Sequence, residues 1–175
     1  AFIAQHRFPD GELKLTLPPS LPDRVVLLRG LHQPNDKLIA LLLAAQTARR
    51  LGAGELTLVS PYLAYMRQDI EFQPGEAISQ RIVAGFLAGL FDSVVTIDPH
   101  LHRIASLGEV MPSCRGIALT AAPLIGTWLA RRFAMEAPPL IVGPDEEAGQ
   151  WVRAASASSG LDGVVCTKTR NGDHD

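Results

Sequence analysis

The chain has 175 residues, of which 47% are hydrophobic and 19% are charged, and its formal net charge is −2. This size suits one globular domain, or one domain and part of a second, with a core that needs no disulfides. A general nucleic-acid binder carries a basic face, and no basic run here exceeds two residues, so the composition argues against that class.

The sequence is typical of a cytoplasmic protein. Cys114 and Cys166 are far apart, which favours two reduced thiols over a disulfide. No apolar stretch reaches the length of about 18 residues that a membrane helix needs. The first residues lack the charged and apolar segments of a signal peptide. Because Ala1 stands where an initiator Met is expected, the chain looks trimmed.

Predicted strands and helices alternate along the chain, which indicates an α/β fold with a parallel sheet. A Val and Leu run at 25–29 predicts a buried strand. Asn35 or Asp36 then caps a helix whose apolar residues recur at helical spacing as far as Leu51. The next predicted elements are a strand at 56–60, a helix at 77–90, strand 93–97, helix 123–133, strand 140–142, helix 147–156 and strand 161–166.

A stiff Ala-Pro-Pro segment, residues 137–139, separates the later elements from the earlier ones. Two consecutive prolines cannot continue a helix, so this segment is a natural boundary between two related α/β units. We therefore predict a first domain at 1–137 and the beginning of a second at 138–175.

Charged and hydrogen-bonding residues follow each of the main predicted strands. Ligands of open parallel sheets bind beyond the carboxyl ends of the strands. Acids and histidines can hold a hydrated divalent cation, while Arg and Lys can hold phosphate oxygens, so the pattern favours a metal–phosphate site over a hydrolase triad. No Walker loop and no G-x-G-x-x-G segment is present. The candidate residues are Arg67, Gln68, Asp69, Asp98, His100, His102, Arg103, Asp145, Lys168 and Arg170.

Several of these residues also fit ordinary structural roles. Asp98 could cap a turn after its strand. Arg67 and Asp69 could form a solvated surface pair. His100 and His102 have a spacing that would suit zinc, but a third Cys or His ligand is not obvious nearby.

Six segments, in the same order along the chain, resemble motifs of the phosphoribosyl pyrophosphate synthetases, also called ribose-phosphate diphosphokinases. Residues 7–12, which alone suggest a turn between extended segments, resemble R-F-x-D-G-E. Residues 61–69 closely resemble P-Y-x-x-Y-x-R-Q-D. The other four segments are 33–38, similar to P-x-N-D-x-L; 96–100, similar to V-D-x-H; 143–145, similar to S-P-D; and 168–170, similar to K-x-R.

The chain also departs from the family pattern. The family begins with a strand and a helix before R-F-x-D-G-E, and only six residues precede Arg7 here. The chain stops at Asp175, before the acidic Gly/Thr-rich loop that cradles ribose 5-phosphate in the family. Such differences suggest a divergent branch. The internal ones are Gly143 in place of the usual Ser, Glu146 and Glu147 in place of small residues, and His102 and Arg103.

The resemblance implies a type I phosphoribosyltransferase-like fold, with one complete unit and part of a second. It also implies Mg²⁺-dependent transfer of diphosphate from ATP to the C1 hydroxyl of ribose 5-phosphate, which gives phosphoribosyl pyrophosphate and AMP. The ATP site would lie at a subunit interface of a homo-oligomer, without nucleic acid or membrane as a partner. Implied ATP-binding residues are Phe8, Asp10, Glu12, Arg67, Gln68 and Asp69; metal residues are Asp98, His100 and Asp145; and catalytic residues are His100, Lys168 and Arg170.

Three other functions remain possible on the sequence. A non-catalytic regulatory homologue would keep the fold and lose activity, but His100, Lys168 and Arg170 are retained. A type I phosphoribosyltransferase would consume phosphoribosyl pyrophosphate, but such enzymes lack the R-Q-D and F-P-D-G-E segments. A nucleotide-binding or oligomerisation module could describe this chain alone, which we expect to bind ATP and contact another subunit without turnover.

Overall fold

The computed structural model describes residues 1–134 and 137–167. These residues form two compact units, of which the first is Ala1–Leu119 and the second begins at Thr120. The sequence predicted a change of unit at residue 137. The second unit begins earlier because helix α3 (Ala122–Arg132) packs closely on helix α4 (Gly149–Ser159). How the two units correspond to the predicted domains stays a prediction.

A β-hairpin opens the first unit. Strand β1 (Ala4–Arg7) pairs antiparallel with strand β2 (Leu13–Thr16). Two backbone hydrogen bonds of 2.9 Å close the turn between them. The N–H of Phe8 donates to the carbonyl of Glu12, and the N–H of Gly11 donates to the carbonyl of Phe8. Gly11 has a φ of +97°, a conformation that a residue with a Cβ adopts only at a cost. The extended segments predicted on either side of this turn are therefore present.

A four-stranded parallel sheet forms the centre of the first unit, and it confirms the predicted α/β fold. Its strands lie in chain order, each hydrogen-bonded to the next. One helix connects the first two strands and another connects the second and third. The strands are β3 (Arg24–Leu28), β4 (Glu55–Ser60), β5 (Ser93–Ile97) and β6 (Arg115–Leu119), and the helices are α1 (Asn35–Arg50) and α2 (Ser79–Ala88).

The hydrophobic core of this unit lies between the sheet and its helices. Alternate residues of β4, Leu56 and Leu58, are fully buried, because successive side chains of a strand point to opposite faces. They pack with a cluster that includes Leu41 of α1 and Leu87 of α2. On β3 the side chain of Val26 is 63% exposed, whereas the core partly covers the residues before and after it.

The second unit contains a smaller parallel pair. Strand β7 (Ile141–Gly143) lies beside strand β8 (Gly163–Val165), and α4 connects them. Helices α3 and α4 approach closely at Gly126, where an added Cβ would stand 2.2 Å from the carbonyl oxygen of Ala155. No helix among the residues described is long and apolar enough to cross a bilayer.

The predicted elements of the first unit all occur within two residues of their expected bounds. One strand, β6, was not predicted. Its sequence, Arg-Gly-Ile-Ala-Leu, lacks the β-branched run that marks a buried strand. A glycine is needed at one position instead, because a Cβ on Gly116 would lie 2.5 Å from the Cβ of Leu107.

Candidate functional site

Two loops leave neighbouring parallel strands at the same edge of the sheet. The R-Q-D loop, residues 61–78, follows β4, and the histidine loop, residues 98–106, follows β5. Ser60 at the end of β4 is in register with Thr96 near the end of β5. Since ligands of parallel sheets bind beyond the carboxyl ends of strands, the two loops occupy the expected location for a site.

The hairpin and the R-Q-D loop both bind the beginning of helix α1. Arg7 Nη2 lies 2.6 Å from Asp36 Oδ2 and forms an ion pair with it. The hydroxyl of Tyr65 donates a hydrogen bond to Oδ1 of Asn35. Tyr65 adopts a φ of +62°, an uncommon conformation for a residue with a bulky side chain. Three segments that were matched separately by sequence therefore meet at one helix terminus.

The hairpin turn, residues 8–12, presents its functional candidates to solvent. The Phe8 ring is 40% exposed and is held on one side by an edge contact to His6, with ring centroids 4.8 Å apart. Asp10 and Glu12 are exposed, and Oδ1 of Asp10 accepts a hydrogen bond of 3.1 Å from the backbone N–H of Glu12. An aromatic face and two carboxylates are thus available to a molecule outside this chain.

Hydrogen bonds from helix α2 hold the R-Q-D loop in shape. The amide of Gln80, which is 1% exposed, donates to the carbonyl of Met66 at 3.2 Å, and its backbone N–H donates to the carbonyl of Gln68 at 3.1 Å. Gln68 Nε2 in turn donates to the carbonyl of Ile70 and to Oε2 of Glu76. Sequence reasoning did not identify Gln80, although a Gln in the first turn of an apolar helix face was a visible signal.

Arg67 and Asp69 do not form the surface pair that was considered as an alternative. Arg67 is exposed and has no hydrogen bond or ion pair with any other described residue. The carboxylate of Asp69 is 1% exposed and lies 2.7 Å from Nη1 of Arg103 on the histidine loop. The R-Q-D loop therefore carries one cation that is available to a ligand and one buried anion that is already paired.

The histidine loop begins with a backbone turn that few residues adopt. Asp98 has a φ of +44°, and its backbone N–H donates to the carbonyl of Leu119 at 2.8 Å. The rings of His100 and His102 stack with centroids 5.9 Å apart and planes 17° apart. Within residues 1–134 and 137–167, no three His, Cys, Asp or Glu side chains are grouped to hold a metal ion, so the zinc alternative gains no support.

The remaining candidates lie outside the first unit. Asp145 belongs to the second unit, where its Oδ1 accepts a hydrogen bond of 3.2 Å from the N–H of Ala148 and caps a short 3-10 turn. Lys168 and Arg170 lie outside the described residues. A metal site made jointly by Asp98, His100 and Asp145 therefore stays a prediction, as do the assigned catalytic and ATP-binding roles.

Comparison with known proteins identifies the family. The family model for the N-terminal domain of ribose phosphate pyrophosphokinase matches residues 2–90. The ribose-phosphate pyrophosphokinase of Methanopyrus kandleri is 34% identical over 161 residues, which are 91% of this chain and 54% of that protein. The corresponding protein of Methanosarcina acetivorans is 34% identical over 165 residues, which are 94% of this chain and 55% of that protein.

A solved structure supports the fold. The crystal structure of phosphoribosylpyrophosphate synthetase from Mycobacterium smegmatis has a TM-score of 0.76 and 21% sequence identity, and the match covers 97% of this chain and 57% of that one. This chain spans about half the length of the curated relatives it matches. Because the family model matches residues 2–90, which are just over half of the chain, the chain belongs to the ribose phosphate pyrophosphokinase family.

Proposed function

We propose that this chain supplies the nucleotide side of a ribose-phosphate diphosphokinase, which transfers diphosphate from ATP to ribose 5-phosphate. One observation carries the proposal. The exposed Arg67, which has no partner among the described residues, stands on a loop that is fixed by hydrogen bonds, beside a second loop that carries Asp98 and His100. A cation on an ordered loop at the carboxyl edge of a parallel sheet suits a polyphosphate.

The reaction is nucleophilic substitution at the β-phosphorus of ATP. The C1 hydroxyl oxygen of ribose 5-phosphate loses its proton to solvent and forms a bond to this phosphorus, the bond to the α–β bridging oxygen breaks, and AMP leaves with that oxygen. Negative charge is spread over the phosphoryl oxygens and the leaving oxygen, so positioned cations and N–H donors are the main catalytic groups. In this chain Arg67 would hold phosphate oxygens, and His100 would donate a ring N–H to the triphosphate.

The adenine would be held by the hairpin turn of a neighbouring subunit. The exposed Phe8 ring offers a face for stacking, and the carboxylates of Asp10 and Glu12 can accept from the exocyclic amine. A homo-oligomer with the ATP site at its interface would use all three groups, which are open to solvent in this chain.

The side chains at the sheet edge are compatible with Mg²⁺ in part. Mg²⁺ in nucleotide sites is bound through one or two carboxylates together with phosphate oxygens and water. The half-buried carboxylate of Asp98 is a ligand of this kind, while Asp145, in the second unit, stays a predicted ligand. An imidazole is a poor ligand for this hard cation, so we assign His100 to phosphate instead. When bound, Mg²⁺ would neutralise charge on the triphosphate.

Titration of Mg-ATP into the chain by calorimetry tests the nucleotide role. Arg67→Ala should weaken binding by about tenfold or more, since a hydrogen bond to a charged group contributes about 1.5–3 kcal/mol. Arg24→Ala is the matched control, because Arg24 is 83% exposed on the same unit, pairs only with exposed Glu55 among the residues described, and should leave the affinity unchanged.

A wild-type chain that does not bind Mg-ATP would overturn the proposal. The enzymatic role is tested separately, by AMP release from ATP and ribose 5-phosphate with the intact protein. Binding of ATP without AMP release by the intact protein would favour the non-catalytic regulatory homologue.

A further inference from the structure

The two loops of the candidate site are joined by one arginine. Arg103 extends from the histidine loop, and its Nη1 donates to Asp69 Oδ1 on the R-Q-D loop at 2.7 Å. Its guanidinium carbon also stands 6.0 Å from the centroid of the Phe72 ring on that loop. A single side chain therefore contacts the neighbouring loop at two points, through an ion pair and through a cation–π interaction.

The ion pair differs from an ordinary surface pair because its anion is buried. The Asp69 side chain is 1% exposed, and its second oxygen, Oδ2, is buried without a hydrogen-bond donor among the described residues. Loss of the cation would leave a buried carboxylate without compensation, which is unfavourable. By contrast, Arg24 and Glu55 form a pair at 3.0 Å in which the side chains are 83% and 47% exposed.

Each loop is held at a second place, so the pair connects two ordered segments. Gln80 holds the R-Q-D loop immediately before Asp69, through the carbonyls of Met66 and Gln68. The histidine loop ends in a capping box, in which Glu109 Oε1 accepts hydrogen bonds from the N–H groups of Ala105 and Ser106. Arg103 lies between this capping box and His100.

We propose that Arg103 is a positioning residue of the nucleotide site, an inference that rests on the proposed function. By pairing with Asp69, it sets where the histidine loop stands relative to Arg67 and Gln68, which precede Asp69 directly. Arg67 and His100 would hold different oxygens of one triphosphate, so their separation has to match that ligand before it binds. Arg103 itself need not touch ATP.

Calorimetric titration of Mg-ATP into variants of the chain tests this role. Arg103→Met, which keeps an unbranched side chain and removes the charge, should weaken ATP binding at least tenfold. Arg103→Lys should keep the affinity within about threefold, because an ammonium group still compensates the buried carboxylate. Arg24→Met is the matched control and should bind as the wild type does.

Arg103→Gln provides a second variant in case Arg103→Met does not fold. Its polar amide suits a side-chain position that is 42% exposed, so the fold is retained more easily, while the charge and the contact with Phe72 are lost. We expect a severalfold loss of ATP affinity. An affinity equal to that of the wild type in Arg103→Gln would overturn the proposal.

Hydrogen–deuterium exchange without ATP separates positioning from general stabilisation. Arg103→Met should exchange faster in residues 98–106 and 67–72, and the amides of helix α1 should be unchanged. A lower melting temperature with unchanged ATP affinity, measured well below that temperature, would show a structural role alone and would overturn the inference.

The titrations also distinguish failure of the positioning role from failure of the proposed function. In that case the wild-type chain itself would not bind Mg-ATP, and the positioning role would fall with it. Normal wild-type binding together with normal binding by Arg103→Met would overturn the positioning role alone.

Discussion

The R-Q-D loop and the hairpin turn carry two of the clearest motifs in the chain, and the fold holds them to different degrees. Gln80, Tyr65 and Arg103 fix the R-Q-D loop through side-chain hydrogen bonds to three other parts of the first unit. The hairpin turn closes on its own backbone and presents Phe8 to solvent. The difference indicates that one part of the site is organised within the chain, while the other is available to a second molecule.

Of the substitutions that we consider, replacement of Lys168 should have the largest effect on activity. If its ammonium group stabilises charge mainly in the transition state, Lys168→Ala in the intact enzyme should lower turnover by about 10²–10³-fold or more, with a smaller change in ATP affinity. Steady-state rates of AMP release, together with calorimetric titration of Mg-ATP, measure both quantities. Near-normal turnover would contradict the role assigned to Lys168.

A mixing experiment tests whether the hairpin turn serves a neighbouring subunit. Phe8→Ala and Arg67→Ala should each lower AMP release by the intact protein by about tenfold or more, since each removes one of the proposed contacts to ATP. If the site is shared in a dimeric interface, mixed subunits form some sites that contain neither change. Co-refolding equal amounts should then restore activity to about a quarter of the wild-type value by random pairing.

The control for this experiment is to assay each variant after refolding alone. Activity of the mixture equal to the mean of the two variants would contradict a shared site. It would place Phe8 and Arg67 in the same subunit's site, or remove the hairpin from the nucleotide site altogether.

The R-Q-D loop and the hairpin turn should also differ in how much they contribute to the free energy of unfolding. Gln80→Ala removes a buried donor and leaves the Met66 carbonyl unsatisfied, so the free energy of unfolding should fall by about 1–3 kcal/mol. Phe8→Ala changes an exposed turn and should cost less than about 0.5 kcal/mol. Urea unfolding monitored by circular dichroism measures both. Gln46→Ala, at an exposed position of helix α1, controls for loss of an amide.

The smallest effect is expected at the opposite edge of the sheet, before β5. The N–H of Leu56 and the guanidinium of Arg49 both donate to Oδ2 of Asp92 and hold the pKa of that carboxyl below its usual value. A lowered folded-state pKa means that the stabilisation is complete above the unfolded-state pKa and is lost as pH falls through the folded-state value. Because the side chain is 46% exposed, solvent screening keeps the effect small.

Asp92→Asn should therefore lower stability slightly at pH 7 and make it less sensitive to acid below pH of about 4. Melting temperatures across this range provide the measurement. ATP affinity should be unchanged, because Asp92 lies at the amino end of its strand, away from the candidate site. A loss of ATP affinity in Asp92→Asn at pH 7 would contradict this placement, because it would show that the amino ends of the strands also contribute to binding.

The periodicity of apolar residues was sufficient to predict helices α1 and α2 and strands β3 to β5 within two residues. It was insufficient for β6, whose Gly116 and Ala118 carry no strand signal; the close approach of Leu107 explains the glycine. It also gave no indication that α3 packs with α4, since the boundary between units depends on which helices touch. Local patterns record propensity, whereas these features depend on contacts between distant parts of the chain.

By itself, the sequence determined the α/β class, the family and the set of polar residues that follow each strand, because these depend on local pattern and on the order of short motifs. Only the tertiary structure decided which of those residues are available. It buried Asp69, left Arg67 exposed, and paired Asp69 with Arg103, a residue 34 positions away. Burial and pairing depend on which strands become neighbours, and the sequence pattern of polar residues does not contain that information.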